Sequence, residues 1–233
     1  MLLNASKISC GYDKTKIVQN CDIYLKKGQI ASIVGPNGAG KSTAMKAIFG
    51  LLPLFEGKVF FNNEDISNLK PQERVLKGMS FVPQTNNIFP SMTVEENLEM
   101  GGFIRKNGIK ETIEQVYELF PVLHEKKSQI AENLSGGQRQ QLAFGRALMT
   151  NPMFLMLDEP SAGVSPIIMD ELFNKVRDIS KKGVSILMVE QNAKQALKIS
   201  DIGFVLTQGK NKFIDSGKKL LSNPVVRKSF LGG

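Results

Sequence analysis

"IASIVGPNGAGKST", residues 30–43, joins five residues, four of them apolar, to a glycine-rich loop and then to the start of a helical pattern. The apolar run Ile30–Val34 is rich in β-branched side chains and is cut off by Gly-Pro, which predicts a strand buried on both faces. The loop fits G-x-x-x-x-G-K-[ST] in full. Its glycines let backbone N–H groups converge on phosphate oxygens, and the helix that follows adds the partial positive charge of its N-terminus. Gly35, Pro36, Asn37, Gly38, Ala39, Gly40, Lys41, Ser42 and Thr43 are the expected nucleotide cradle. Within it Lys41 reaches the β- and γ-phosphates, and the Ser42 hydroxyl ligates Mg²⁺.

Two further apolar runs have the character of Ile30–Val34. "FLMLDEP", residues 154–160, is a short buried strand ending in two acids. Asp158 is expected to hold Mg²⁺ through water. Glu159 is expected to face away from it, because side chains alternate along a strand, and to act as general base on an attacking water. "VSILMV", residues 184–189, is the third run and ends in Glu190 and Gln191. Helical patterns lie at residues 42–50, 111–119, 138–149, 166–181 and 192–199. Strands alternating with helices predict an α/β fold with a mostly parallel core sheet.

Two regions depart from that alternation. Residues 4–9, 22–25 and 58–61 read as antiparallel strands of an N-terminal β-subdomain. Residues 88–152 carry helical patterns and no convincing strand, which predicts an inserted α-helical subdomain. The expected organisation is one domain over residues 1–233, with 1–87 and 153–233 forming the nucleotide-binding body.

Composition sets few limits beyond these. At 233 residues, with 42% hydrophobic and 22% charged residues, the chain is an ordinary globular one and buries a sizeable core. No stretch is apolar for the ~20 residues a membrane-spanning helix needs. The N-terminal residues lack the basic-then-apolar order of an export signal, so the expected location is the cytoplasmic side of the membrane. Cys10 and Cys21 show no metal-ligand spacing and are expected to be small buried or half-buried thiols. The net charge of +8 is spread over pairs such as Lys26-Lys27 and Lys218-Lys219. No aromatic residues interleave with basic ones as in proteins that stack bases, so no nucleic-acid partner is expected.

"NLSGGQRQQLAFGRALMTNP", residues 133–152, carries the family resemblance. Read physically, Ser135, Gly136 and Gly137 open a helix near Gln138 and form a second anion site. The block resembles the signature of ATP-binding cassette ATPases, as does its spacing ahead of the Asp-Glu pair. The resemblance implies a head-to-tail dimer, of the chain with itself or with a homologous ATPase subunit. ATP would lie between one copy's phosphate loop and the other's signature residues Ser135, Gly136, Gly137 and Gln138. It further implies that Tyr12 stacks on adenine and that Gln84, in "FVPQ", reaches Mg²⁺ and the attacking water. Ser161, Ala162 and Gly163 resemble the loop that touches the opposite subunit. Gln191 stands where most cassettes carry a histidine that contacts the γ-phosphate. An amide there can still donate one hydrogen bond and accept another, so Gln191 is retained beside Glu159 and Lys41 as a catalytic candidate.

The interval from Gln84 to Ser135 is too short for the long coiled coil of the chromosome-maintenance relatives, and a single cassette is unlike the tandem translation-factor relatives. The chain therefore resembles a transporter ATPase subunit that docks on separate integral membrane permease subunits, served indirectly by a solute-binding protein. "MTVEENLEMGGF" (92–103), "YELFPVLHEK" (117–126) and "VEQNAKQALKISD" (189–201) resemble the second ATPase of branched-chain amino acid importers. Urea and amide importers, and to a lesser degree lipopolysaccharide exporters, share the pattern. Gln after the paired signature glycines, and "VPQTNN" in place of "VPEGRR", depart from many members of the importer group.

Overall fold

The strand Ile30–Val34 is buried at every position and lies in the middle of a six-stranded sheet. The structure, a computed structural model, describes residues 1–230. In chain order its strands are β1 (Leu3–Tyr12), β2 (Thr15–Leu25), β3 (Ile30–Val34), β4 (Leu54–Phe61), β5 (Glu64–Asp65), β6 (Met79–Val82), β7 (Phe154–Asp158), β8 (Ser185–Glu190), β9 (Ile202–Thr207) and β10 (Lys210–Asp215). The helices are α1 (Lys41–Phe49), α2 (Pro71–Leu76), α3 (Val94–Gly101), α4 (Ile109–Leu119), α5 (Pro121–Glu125), α6 (Gly136–Leu148), α7 (Pro166–Lys181), α8 (Ala193–Ile199), α9 (Gly217–Ser222) and α10 (Pro224–Phe230).

The core sheet has the order β10-β9-β3-β8-β7-β6 and is parallel except for β10, which pairs antiparallel with β9. Alternate residues of one strand feed different cores. Leu155 and Leu157 join the cluster built with α6, α7 and α8, whereas Phe154 and Met156 join the cluster under α1 and the second sheet. A sheet covered on both faces needs such continuous apolar strands, which is why β3, β7 and β8 are legible as unbroken runs. Their carboxyl ends come level, with Val34 opposite Glu190 and Asp158 opposite Val189. Ligands of open α/β sheets bind at that edge.

The second sheet, β2-β1-β4-β5, is antiparallel and packs on α1. Its strands run longer than the expected segments. Lys7 sits in the left-handed region (φ 49°), and the register of β1 shifts between Ala5 and Ile8. A bulge of this kind breaks the period-two pattern on which a sequence reading relies. The strands β5, β6, β9 and β10 were not anticipated. β6 has only four residues. β9 and β10 form a hairpin around Gln208 and Gly209, both at positive φ. A two-residue turn of that shape is usually announced by Asn-Gly or Asp-Gly, and here glutamine takes the first place.

Between β6 and β7 the chain makes α3 to α6 and a short 3₁₀ turn at Ala131–Asn133. The one β contact in this stretch, among the described residues, is an isolated bridge from Thr93 to Ile130. Asn97 is fully buried; its Oδ1 accepts from the Phe89 N–H, and its amide donates to the carbonyls of Phe89, Met92 and Thr93. His124 lies within α5 and is exposed. Both cysteines are buried, and burial pushes each thiol up to about 12, which leaves them as inert packing groups.

Arg74 in α2 is the most deeply buried cation of the described residues. Its guanidinium donates to the carbonyls of Leu69 and Ser67 and to those of Ala47 and Ile48 in the last turn of α1. Burial pulls its pKa down to about 10, with Glu73 opposing. Arg74 thus closes the carboxyl end of the helix whose amino end completes the phosphate loop. Arg74→Met is expected to leave those carbonyls unpaired and to destabilise the chain by about 2–4 kcal/mol, read as a lowered urea midpoint at unchanged slope.

Candidate active site

The phosphate loop begins where β3 ends and runs directly into α1. Gly38 and Gly40 adopt left-handed conformations (φ 77° and 91°), which tip successive N–H groups towards one concavity; side chains with a Cβ pay for that backbone. No side chain caps the N-terminus of α1, and its first turn holds no acid, so its leading N–H groups are uncommitted. Pro36, Asn37 and Gly38 form an exposed rim, and Ala39 and Thr43 are buried beneath it. Lys41 is buried and donates from Nζ to the carbonyls of Gly35 (3.0 Å) and Pro36 (3.2 Å), so its side chain lies over its own loop. Burial lowers the pKa of this ammonium, and Glu159, Asp158 and Glu190 oppose the shift.

The acids stand at the end of β7. Asp158 is buried, and its Oδ1 accepts a 2.6 Å hydrogen bond from the Ser42 hydroxyl. Burial raises its pKa; the Ser42 bond and the charges of Lys46 and Lys41 pull the other way. Hydroxyl and carboxylate oxygens brought together beside a phosphate loop are hard donors of the type Mg²⁺ takes, along with phosphate oxygens and water. Among the described residues no cluster of three or more His, Cys, Asp or Glu side chains forms a metal cage.

Glu159 and Asp158 share no hydrogen-bond partner, and Glu159 lies past the end of the strand on which an alternation of side chains was expected. The strand ends at Asp158, and Glu159 takes a left-handed conformation (φ 50°) while its N–H donates to the Val189 carbonyl. Left-handed backbone at a glutamate is strained, and such strain concentrates at functional sites. Sheet order then explains the company Glu159 keeps. β7 lies between β8 and β6, so the residues just past those two strands flank the residue just past β7. They are Gln191 and Gln84. Gln191 Nε2 donates to Glu159 Oε2 at 2.7 Å, and Gln84 Nε2 donates to the same oxygen at 2.9 Å. Oε1 receives no hydrogen bond among the described residues. One carboxylate oxygen is therefore clamped, and the other is available to accept a proton.

The signature residues sit apart from this constellation. Ser135 caps α6 with its hydroxyl while Gln138 returns a side-chain bond to the Ser135 N–H, a complete capping box. Gly137 is buried against α7, where a Cβ would lie 2.6 Å from Ile168 Cγ2; Gly136 faces open space. No hydrogen bond joins residues 135–138 to the phosphate loop among the described residues, and Ser135 and Gly136 are displayed at the surface. Tyr12, at the end of β1, is 46% exposed.

One residue of this region was not singled out beforehand. Glu190, the last residue of β8, is 1% exposed and bonds to Ser161 and to the Gln191 backbone. Its signal was present, since an acid closing a strand otherwise buried and apolar is expensive.

Comparisons with known proteins show the family and the fold. Residues 18–162 match the family model of the ABC transporter. The chain is 40% identical over 233 residues to the high-affinity branched-chain amino acid transport ATP-binding protein BraG of Pseudomonas aeruginosa, covering all of both chains. It is 39% identical to the probable branched-chain amino acid transport ATP-binding protein LivF of Archaeoglobus fulgidus, covering 99% of each. The lipopolysaccharide export ATP-binding protein LptB of Haemophilus influenzae is 30% identical, covering 99% of this chain and 97% of LptB. Among solved structures, the ADP conformation of MJ1267, an ATP-binding cassette of an ABC transporter, superposes with a TM-score of 0.88 at 32% identity, covering 100% of this chain and 99% of that one.

Proposed function

The chain belongs to the ABC transporter family, and on that premise we propose that it is the ATPase subunit of an importer for branched-chain or related amino acids. Binding and hydrolysis of ATP come with family membership. The transported class rests on one observation, full-length identity of 39–40% to BraG and LivF against 30% to LptB.

In the mechanism we infer, backbone N–H groups of the loop 35–43 and the uncapped start of α1 bind the phosphates, with Lys41 turning from its loop carbonyls to the β- and γ-phosphates. Tyr12 supports the adenine. Ser42 and Asp158, with Gln84 through the Oε1 that its bond to Glu159 leaves free, hold Mg²⁺. When bound, the ion neutralises charge developing on the phosphate oxygens. Glu159 accepts a proton from the attacking water at Oε1. Gln191 and Gln84, bonded to Oε2, keep that carboxylate oriented.

The outward display of Ser135 and Gly136 supports a head-to-tail dimer, in which each copy offers these residues to ATP on the other. The helical segment α3–α6 is the face that meets integral membrane permease subunits, and exposed Met100 and Phe103 give it apolar surface. No described helix is long and apolar enough to cross a membrane. The chain is read as a peripheral subunit at the cytoplasmic side, with a solute-binding protein acting on the far side. The test is affinity purification of the tagged chain from solubilised membranes. Polytopic subunits should co-purify, and reconstituted with a binding protein they should show ATPase activity stimulated by branched-chain amino acids. Salt-sensitive binding of DNA or RNA without any membrane partner would overturn the reading.

A further inference from the structure

Glu190 has no role in the chemistry above, yet its carboxylate is more completely hydrogen-bonded than that of Glu159. Oε1 accepts from the Ser161 N–H at 3.0 Å, and Oε2 accepts from the Ser161 hydroxyl at 2.8 Å and from the Gln191 backbone N–H at 3.2 Å. A carboxylate buried to this degree is costly unless its lone pairs are filled, and any apolar residue would have continued β8 without that cost. Burial raises its pKa and the Ser161 and Gln191 bonds lower it, so the bonds favour the charged form.

These bonds close a ring across the ends of two adjacent strands. Ser161 lies two residues past Glu159, and Gln191 lies one past Glu190. Ser161 is tied to Glu190, and Gln191 is tied back to Glu159 through its amide. The Ala162 N–H donates to the Glu159 carbonyl at 3.0 Å, which makes the turn after β7 rigid. Beyond Ser161 the chain emerges, and Ala162 and Gly163 are exposed. A displacement of residues 162–163 therefore has a short covalent and hydrogen-bonded route to the Gln191 amide.

We propose that Glu190 is a positioning residue that couples the loop at Ser161–Gly163 to Gln191, so that pressure on this loop from a second copy of the chain sets the placement of the Gln191 amide on Glu159. The proposal rests on the reading of Glu159 as the base and Gln191 as its support. It assigns Glu190 no contact with ATP or water; its effect passes through Gln191.

The experiment measures MgATP hydrolysis by the full chain assembled with its membrane subunits. Ser161→Ala, Ser161→Thr and Glu190→Gln are each made in the wild-type and Gln191→Ala backgrounds. Ser161→Ala is expected to lower kcat by about three- to tenfold, the worth of one hydrogen bond, with the KM for ATP within about twofold. Ser161→Thr keeps the hydroxyl and should restore kcat. Glu190→Gln, which retains one accepting oxygen of two, should fall at least as far as Ser161→Ala. In the Gln191→Ala background all three should differ from their parent by less than about twofold, because the group they act through is gone. Equal losses in both backgrounds, or no rescue by Thr, would reduce Glu190 to a structural strand cap and overturn the proposal. The Ser161 pair decides this whether or not Glu190→Gln folds. A Gln191→Ala parent with normal kcat would overturn both the proposal and the reading beneath it. A slow parent with unchanged Ser161→Ala losses overturns the coupling alone.

Discussion

Glu159→Gln is expected to abolish steady-state ATP turnover and to leave ATP-bound dimers that persist long enough to isolate. The substitution preserves size and almost preserves shape, so the turn after β7 and its bond to Val189 should survive. It removes the proton acceptor. Placed general bases contribute roughly 10²–10⁴-fold to rate, and the loss should fall in kcat with little change in nucleotide affinity. It also disturbs the clamp. Two amide donors, Gln84 and Gln191, converge on Oε2, and a glutamine can satisfy both only by presenting its carbonyl oxygen there. Its NH₂ then occupies the place of Oε1, where it would offer the attacking water a donor instead of an acceptor. Size-exclusion chromatography with MgATP and single-turnover hydrolysis check the two halves of this prediction. Hydrolysis within tenfold of wild type would remove Glu159 from the base role.

How much of this was visible in the linear chain follows from how local each feature is. The phosphate loop was legible because its chemistry lies in nine consecutive residues and the strand and helix around it are contiguous. Asp158 and Glu159 were legible as a pair, but Glu159 was read as part of the strand, whereas the strand ends at Asp158 and Glu159 takes a left-handed backbone. Sequence patterns carry no direct signal for positive φ at a glutamate. The hairpin of β9 and β10 was missed because Gln208 takes a turn position usually held by Asn or Asp, and β1 was read short because a bulge at Lys7 interrupts its alternation. The Thr93–Glu96 capping box of α3 was readable by rule, and "TVEE" was noticed only as part of a resemblance. Arg74 and Glu190 belong to another class. Each acts on chain segments brought to it by sheet order or helix packing, and a lone Arg in "PQERVL" or a lone Glu in "MVEQN" discloses neither partner.

Gln191→Ala is expected to slow hydrolysis by roughly ten- to a thousandfold, as loss of one preorganised donor can. Its amide is the nearer of the two on Glu159 Oε2, and it directly follows β8, whereas Gln84 stands two residues past β6 on a loop leading into the helical segment. Truncation to Ala leaves Gln84 as the one remaining amide and lets the carboxylate rotate between productive and unproductive settings. The loss should appear in kcat, since the phosphate loop and Tyr12, the proposed nucleotide contacts, are untouched. Because both amides serve one oxygen, Gln84→Ala added to Gln191→Ala should cost less than the sum of the two single effects expressed as free energies. The same reasoning separates a support from an acid or base. Glutamine does not titrate near neutral pH, so Gln191→Ala should scale the pH–rate profile down without displacing its limbs. A displaced limb in that variant, measured with the membrane subunits present, would mean that Gln191 governs the ionisation of the site and not only its geometry.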